Sequence, residues 1–231
     1  MKPILLLLIL CLSPILNAQE RMRTCRTLFL NGPEQAAHAY YLFDGKQSRE
    51  VELPRLSLSP VYEFRPGDLK LWLLTSPAGE ADDIPEATPS VVIPAGVMDF
   101  YLLIAHDPAN QALPLRMQCV NAGHDHVGRG DMLWFNLTPK QIAGKIGRST
   151  LNLPPMKSTL VKEPALEQGD YPVEIYFRVP NDDRTHPLIE SRWRHDPSAR
   201  SLVFVFDEGN RRAPRVRSFS DFRMAEKKKD L

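Results

Sequence analysis

Apolar positions along this chain come in short runs that alternate with polar ones. The cleanest run is 171–179: Val173, Ile175, Phe177 and Val179 fall on one side, and Glu174, Tyr176 and Arg178 on the other. That is the pattern of a strand with one buried and one wet face. Leu202 to Phe206 is apolar on both sides, which predicts a central strand covered on both faces. Read in the same way, the first half predicts strands at 25–30, 38–43, 49–53, 60–64, 69–75, 90–94 and 99–106. The second half predicts 114–120, 131–137, 141–147, 149–153, 157–162, 171–179, 187–194, 201–207 and 214–219. The 21 prolines remove backbone donors and fix φ, so they punctuate strand ends and fit no long helix.

Turn chemistry fills the gaps. Asp44-Gly45 reads as a tight hairpin, and Pro66-Gly67 and Ala95-Gly96 as turns in which glycine supplies a positive φ. Asp207 to Asn210 reads as a hairpin turn into 214–219, where Arg215 and Arg217 suit an exposed edge. The acidic, proline-bearing segment 76–89 is a surface loop. The polar segment 106–113 is the natural module boundary. Module 1 then spans 20–106, module 2 spans 114–220, and 221–231 is a basic flexible tail. Segment 28–32 matches 119–123, 39–44 matches 132–137, 53–57 matches 153–158, and 99–104 matches 201–206. A repeat of roughly 90 residues follows, the size of one small sandwich. The predicted fold is all-β, two tandem β-sandwich modules with little helix; one larger sandwich would bury the same runs.

An Asn-containing first strand, an aromatic second strand, a Leu-Pro turn, and the Pro-x-Gly turns at Pro66 and Pro94 carry a resemblance. The chain resembles tandem immunoglobulin-like or transthyretin-like β-sandwich domains of unknown function in exported bacterial proteins. The resemblance implies paired sandwiches and transfers no catalytic residue.

The first residues change the picture of destination. Lys2, the apolar run Ile4 to Leu12, the break at Ser13-Pro14 and the small Ala18 have the order of a secretory signal peptide over 1–18. The run is too short for the about 20 residues that span a bilayer. The expectation is an exported protein, periplasmic or extracellular, with no transmembrane segment in its mature chain. Losing Lys2 with the leader takes the formal charge from +1 to about zero, so no strong field steers the mature chain to nucleic acid or an anionic membrane. Cys25 and Cys119 remain. In an oxidising compartment they permit one disulfide, closing a loop of roughly ninety residues worth about 4–5 kcal/mol. The other reading is two buried thiols, since Cys119 shares a strand face with Leu115 and Met117.

Candidate chemistry is sparse. His124, His126 and Asp131 have the ligand types for zinc or a similar divalent ion, but Gly123, Gly128 and Gly130 flank them, as in a solvated turn. His106-Asp107-Pro108 and His195-Asp196-Pro197 could each pair imidazole with carboxylate for proton transfer, or could simply end a strand and start a turn. No nucleophile elbow, phosphate loop, dinucleotide fingerprint or Cys-x-x-Cys occurs; no catalytic residue and no cofactor is expected. Asn136-Leu137-Thr138 is a formal glycosylation sequon. Tyr40, Tyr41, Trp72, Tyr101, Trp134, Tyr176 and Trp193 either fill sandwich cores or stack on sugar rings. The function expected is a non-catalytic exported module that binds a protein or works in envelope assembly. The alternatives are a glycan-binding module using exposed aromatics and a metal-dependent hydrolase around His124 and His126.

Overall fold

The computed structural model describes residues 21–30, 39–209 and 211–222. The signal peptide expected at 1–18, and the tail beyond Phe222, lie outside these residues. Sixteen strands form among the described residues. The first eight are β1 (Arg23–Phe29), β2 (Tyr40–Phe43), β3 (Ser48–Val51), β4 (Tyr62–Phe64), β5 (Leu69–Leu74), β6 (Ser90–Ile93), β7 (Asp99–His106) and β8 (Leu115–Asn121). The second eight are β9 (Met132–Asn136), β10 (Gln141–Ile146), β11 (Ser149–Leu153), β12 (Ser158–Val161), β13 (Gly169–Arg178), β14 (His186–His195), β15 (Arg200–Phe206) and β16 (Arg215–Asp221). Each falls on a run predicted from side-chain alternation. A single 3-10 turn, Ala81–Asp83, lies in the acidic loop.

The strands assemble into four four-stranded sheets, β4-β1-β7-β8, β3-β2-β5-β6, β12-β9-β15-β16 and β11-β10-β13-β14. The second eight strands repeat the first eight one for one, including the parallel pairs β1–β7 and β9–β15. The fold is therefore all-β, built as two β-sandwich modules.

Strand β8 does not open the second copy, as 114–120 was expected to. It pairs antiparallel with β7, Leu102 opposite Cys119, and completes the first sheet. The polar segment before it is a hairpin turn, in which the Asp107 N–H donates to Pro114 O at 2.9 Å. The connection between the two sandwiches is 122–131. The matches of 28–32 with 119–123 and of 39–44 with 132–137 are consequently one strand out. The other two matches join corresponding strands or turns, though inward-facing Phe100, Leu102 and Ile104 correspond to Ser201, Val203 and Val205, one residue off the match by eye. Asp221 belongs to β16 and is buried, rather than starting a flexible tail. Gly45 and Gly67 adopt the expected positive φ, 86° and 91°. Gly96 is not among the positive-φ glycines; its turn is closed by the Val97 N–H donating to Pro94 O.

Three apolar cores result. Phe29, Leu42, Leu71, Phe100 and Ile104 fill the first sandwich. Trp134, Ile142, Leu153, Ile175 and Val203 fill the second. The third lies between the sandwiches, where Leu28, Tyr101 and Leu103 meet Phe135, Leu202, Phe204 and Phe219. Strands β7 and β15 thus send alternate side chains into their own sandwich and into the shared core. That is why both are apolar on both sides, and each large side chain so buried contributes about 1.5–3 kcal/mol.

The shared core ends in a buried ionic cluster. Arg200, 4% exposed, donates to Asp99 Oδ2 at 2.8 Å and to Asp221 Oδ2 at 3.3 Å, and to the carbonyls of Ala122 and Val127. Arg26 donates to Asp221 Oδ1 at 2.7 Å, and the Tyr101 hydroxyl donates to Asp221 Oδ2 at 2.6 Å. Two guanidinium groups thus face two carboxylates, with every charge opposed, which is the condition for burying ions at tolerable cost. Burial beside the Asp221 carboxylate pushes the Tyr101 phenol well above its ordinary range.

Candidate functional site

Clefts break the surface of the described residues. One, of about 600 Å³, lies at the junction of the sandwiches and is lined by His124, Asp125, His126, Asp99, Asn121 and Arg200 among others. It holds the sharpest metal candidate from the sequence, and the structure corrects that expectation. His124 and His126 line the cleft, but Asp131 is turned into the loop. Its Oδ2 accepts the Gly128 N–H at 2.9 Å and its Oδ1 the Glu163 N–H at 3.1 Å. Both oxygens are committed to holding the 122–131 connection closed. His126 is well exposed, and its Nε2 lies 3.5 Å from the carboxylate of the still more exposed Asp125. Among the described residues no group of three His, Cys, Asp or Glu side chains is placed to hold a metal ion.

The cysteines do not meet either. Cys25 lies opposite Phe100 on one side of β7, and Cys119 opposite Leu102 on the other. Two strand spacings put them at least about 9.6 Å apart, beyond the about 7 Å that a disulfide can bridge. Neither is bridged to the other, and both face the first core. Burial pushes the Cys119 thiol up to about 11, which keeps it protonated and unreactive near neutrality.

The sequon is structural. Asn136 is 1% exposed. Its Nδ2 donates to the carbonyls of Lys140, Leu153 and Pro154 at 2.7, 3.2 and 3.0 Å, while its Oδ1 accepts from the Thr138 N–H and hydroxyl. One amide therefore stitches the β9–β10 link to the end of β11, and it has no room for a glycan.

The aromatics divide by role. Tyr40, Tyr101 and Trp134 are buried; Tyr41, Trp72 and Trp193 are half-buried; Tyr176 is 38% exposed. Lys70 Nζ sits 4.6 Å from the centre of the Trp72 ring. Trp193 stacks parallel on Trp134 with centroids 5.9 Å apart.

The second cleft, about 400 Å³, opens at the end of the second sandwich and was not anticipated. Edge strands β14 and β16 flank it. Met132, Tyr171, Trp193 and His195 line it with Ser201, Ser218 and Ser220. The two His-Asp-Pro segments prove unequal here. Both aspartates form turns: Asp107 Oδ1 accepts the Ala109 N–H at 3.1 Å, and Asp196 Oδ1 accepts the Ser198 N–H at 2.8 Å and its hydroxyl at 2.6 Å. Those bonds from Ser198 hold the Asp196 carboxyl below the usual range. But His106 is exposed, whereas His195 is 5% exposed and faces the cleft. Its ring packs edge-on to Tyr171 at 6.2 Å. Gly130, at φ 79°, passes so close that a Cβ there would sit 3.2 Å from His195 Cε1. Burial pushes the Tyr171 phenol up to about 12.

Sequence reasoning also missed Arg23, fully buried, which donates to the carbonyls of Gly67, Ile93 and Ala95. It ties together the two Pro/Gly turns, Pro66-Gly67 and Pro94-Ala95-Gly96, that echo each other in sequence. An arginine at an inward strand position was the available signal, as were serines at positions 201 and 218, where alternation calls for apolar groups. The third cleft, about 490 Å³, is the apolar far end of the shared core, lined by Leu103, Phe135, Phe204 and Phe206.

No protein-family model matches this chain, and no curated protein matches it significantly. No helix among the described residues is long and apolar enough to cross a membrane.

Proposed function

We propose that this chain is an exported, non-catalytic binding protein of the cell envelope or its surroundings, acting as a rigid pair of sandwiches. The observation that carries the reading is the shared core with its ionic cluster. Arg200 and Asp99, which line the cleft at the junction, are joined to each other across it, and Arg200 also to Asp221. They serve to fix the two sandwiches in one orientation, which limits the entropy lost when a partner docks. Asp131 and Asp196 are likewise spent on turns. Export rests on the leader pattern of 1–18.

Expression of the full chain with a C-terminal tag in a bacterial host tests the reading. The expected product is a periplasmic or secreted protein shortened by the leader, inert toward ester, phosphate and glycoside substrates. Recovery of the unprocessed chain in the cytoplasm, or turnover abolished by His195→Ala, would overturn it. Glycan binding is the second reading, favoured by the make-up of the cleft at the end of the second sandwich.

A further inference from the structure

The cleft between β14 and β16 has the composition of a ligand site rather than of a packing fault. Its volume of about 400 Å³ sits in the range for ligand clefts, roughly 300–1,000 Å³. Aromatic surface comes from Tyr171 and Trp193, and Trp193 is held by its parallel stack on Trp134. Opposite stand the hydroxyls of Ser201, Ser218 and Ser220 on paired positions of β15 and β16. His195 is nineteen-twentieths buried and lines the same cleft.

The first sandwich supplies an internal control. The positions matching Ser201, Ser218 and Ser220 by strand, pairing and face are Phe100, Cys119 and Asn121. There Phe100 is fully buried in the first core, against which Cys119 also packs, so the positions of Ser201 and Ser218 are filled by core side chains. An apolar residue is therefore compatible with the backbone, and the second sandwich replaces it with hydroxyls around an open space.

We infer that this cleft is a saccharide-binding site for a single pyranose unit, free or at the end of a longer glycan. A pyranose offers an apolar C–H face to aromatic rings and a rim of hydroxyls to serine and imidazole. Arg192 and Arg194 also border the cleft, so a uronic acid and a neutral sugar are its two possible sources of that chemistry. The inference rests on the non-catalytic binding reading above and deepens it by naming the ligand class.

The test uses the purified full-length processed chain, with tryptophan fluorescence and saturation-transfer NMR as readouts. Glucose, galactose, N-acetylglucosamine and glucuronic acid are the probes. At least one should bind saturably; glucuronic acid alone would assign the arginines a role, and a neutral sugar would assign recognition to the rings and hydroxyls. Ser218→Leu, at an exposed position, should fill the mouth and weaken binding about tenfold or more at an unchanged melting temperature. His195→Gln should weaken it by a similar factor. Absence of saturable binding by all four sugars overturns the site, as does binding that survives Ser218→Leu within about twofold. The broader reading fails separately, through cytoplasmic retention or through cleavage of a glycoside.

Discussion

The two sandwiches share one topology and differ most where their corresponding edges meet. In the first, β8 turns Leu115, Met117 and Cys119 toward the core that Phe100 also fills, and β8 lies close to β6. In the second, β16 turns Val216, Ser218 and Ser220 inward, and β15 offers Ser201 where the first has Phe100. The partner edge differs as well: β6 has four residues and β14 has ten. A longer edge strand combined with smaller, polar inward groups leaves space that a short edge with bulky groups does not. The strand framework is thus indifferent to whether this end is core or cleft; a few side chains choose.

Exchanging those side chains should break the contrast. Phe100→Ser in the closed end should cost most, about 3–5 kcal/mol, because a fully buried ring is lost and a hydroxyl is left in an apolar space. Chemical denaturation would show this as a lower midpoint. Arg200→Ala, which cuts the tie holding the two ends in one body, should cost about 3 kcal/mol or more by stranding Asp99 and Asp221. It should also separate the single unfolding transition into two, visible by calorimetry. Asn136→Ala, confined to the second sandwich, should cost about 1–3 kcal/mol through three carbonyls left without their donor.

Smaller effects sharpen the comparison. Ser218→Cys copies the closed end at one position and should shift stability by less than about 1 kcal/mol, while narrowing the cleft. Alkaline pH should weaken both ends at different points. The Cys119 thiol, raised from 9.0 to about 11 by burial, and the Tyr171 phenol, raised from 10.0 to about 12, both stay protonated in the folded chain after the unfolded chain has ionised. Stability is complete below the unfolded values and falls as pH rises through them toward the folded ones. A pH series of melting temperatures should decline above about pH 9, and Cys119→Ala should remove the earlier part of the decline. Thiol titration of the denatured, unreduced mature chain should find two free cysteines; a disulfide would contradict the strand order around β7.

Much of the fold was legible because side-chain alternation is a local property. Val173, Ile175 and Phe177 point inward as their spacing requires, and the both-sided apolar run of β15 announced a strand covered on both faces. The Asp44-Gly45 turn declared itself by chemistry alone, with Asp44 Oδ1 accepting the N–H groups of Lys46 and Gln47. Of the candidate site, the sequence singled out only Trp193 and His195, and for each it favoured the plain reading, core packing and a strand end.

What the sequence determined by itself, then, is where the chain is extended, which faces are apolar and where it turns, since these follow from neighbours a few residues away. Tertiary structure alone decided that 115–121 completes the first sheet, that β7 keeps Cys25 and Cys119 apart, and that Asp99 meets Arg200. It also brought Tyr171, His195 and Ser218 around one space. Those outcomes depend on which edges pair and which faces stack, and the energies that choose among them come from residues tens of positions apart.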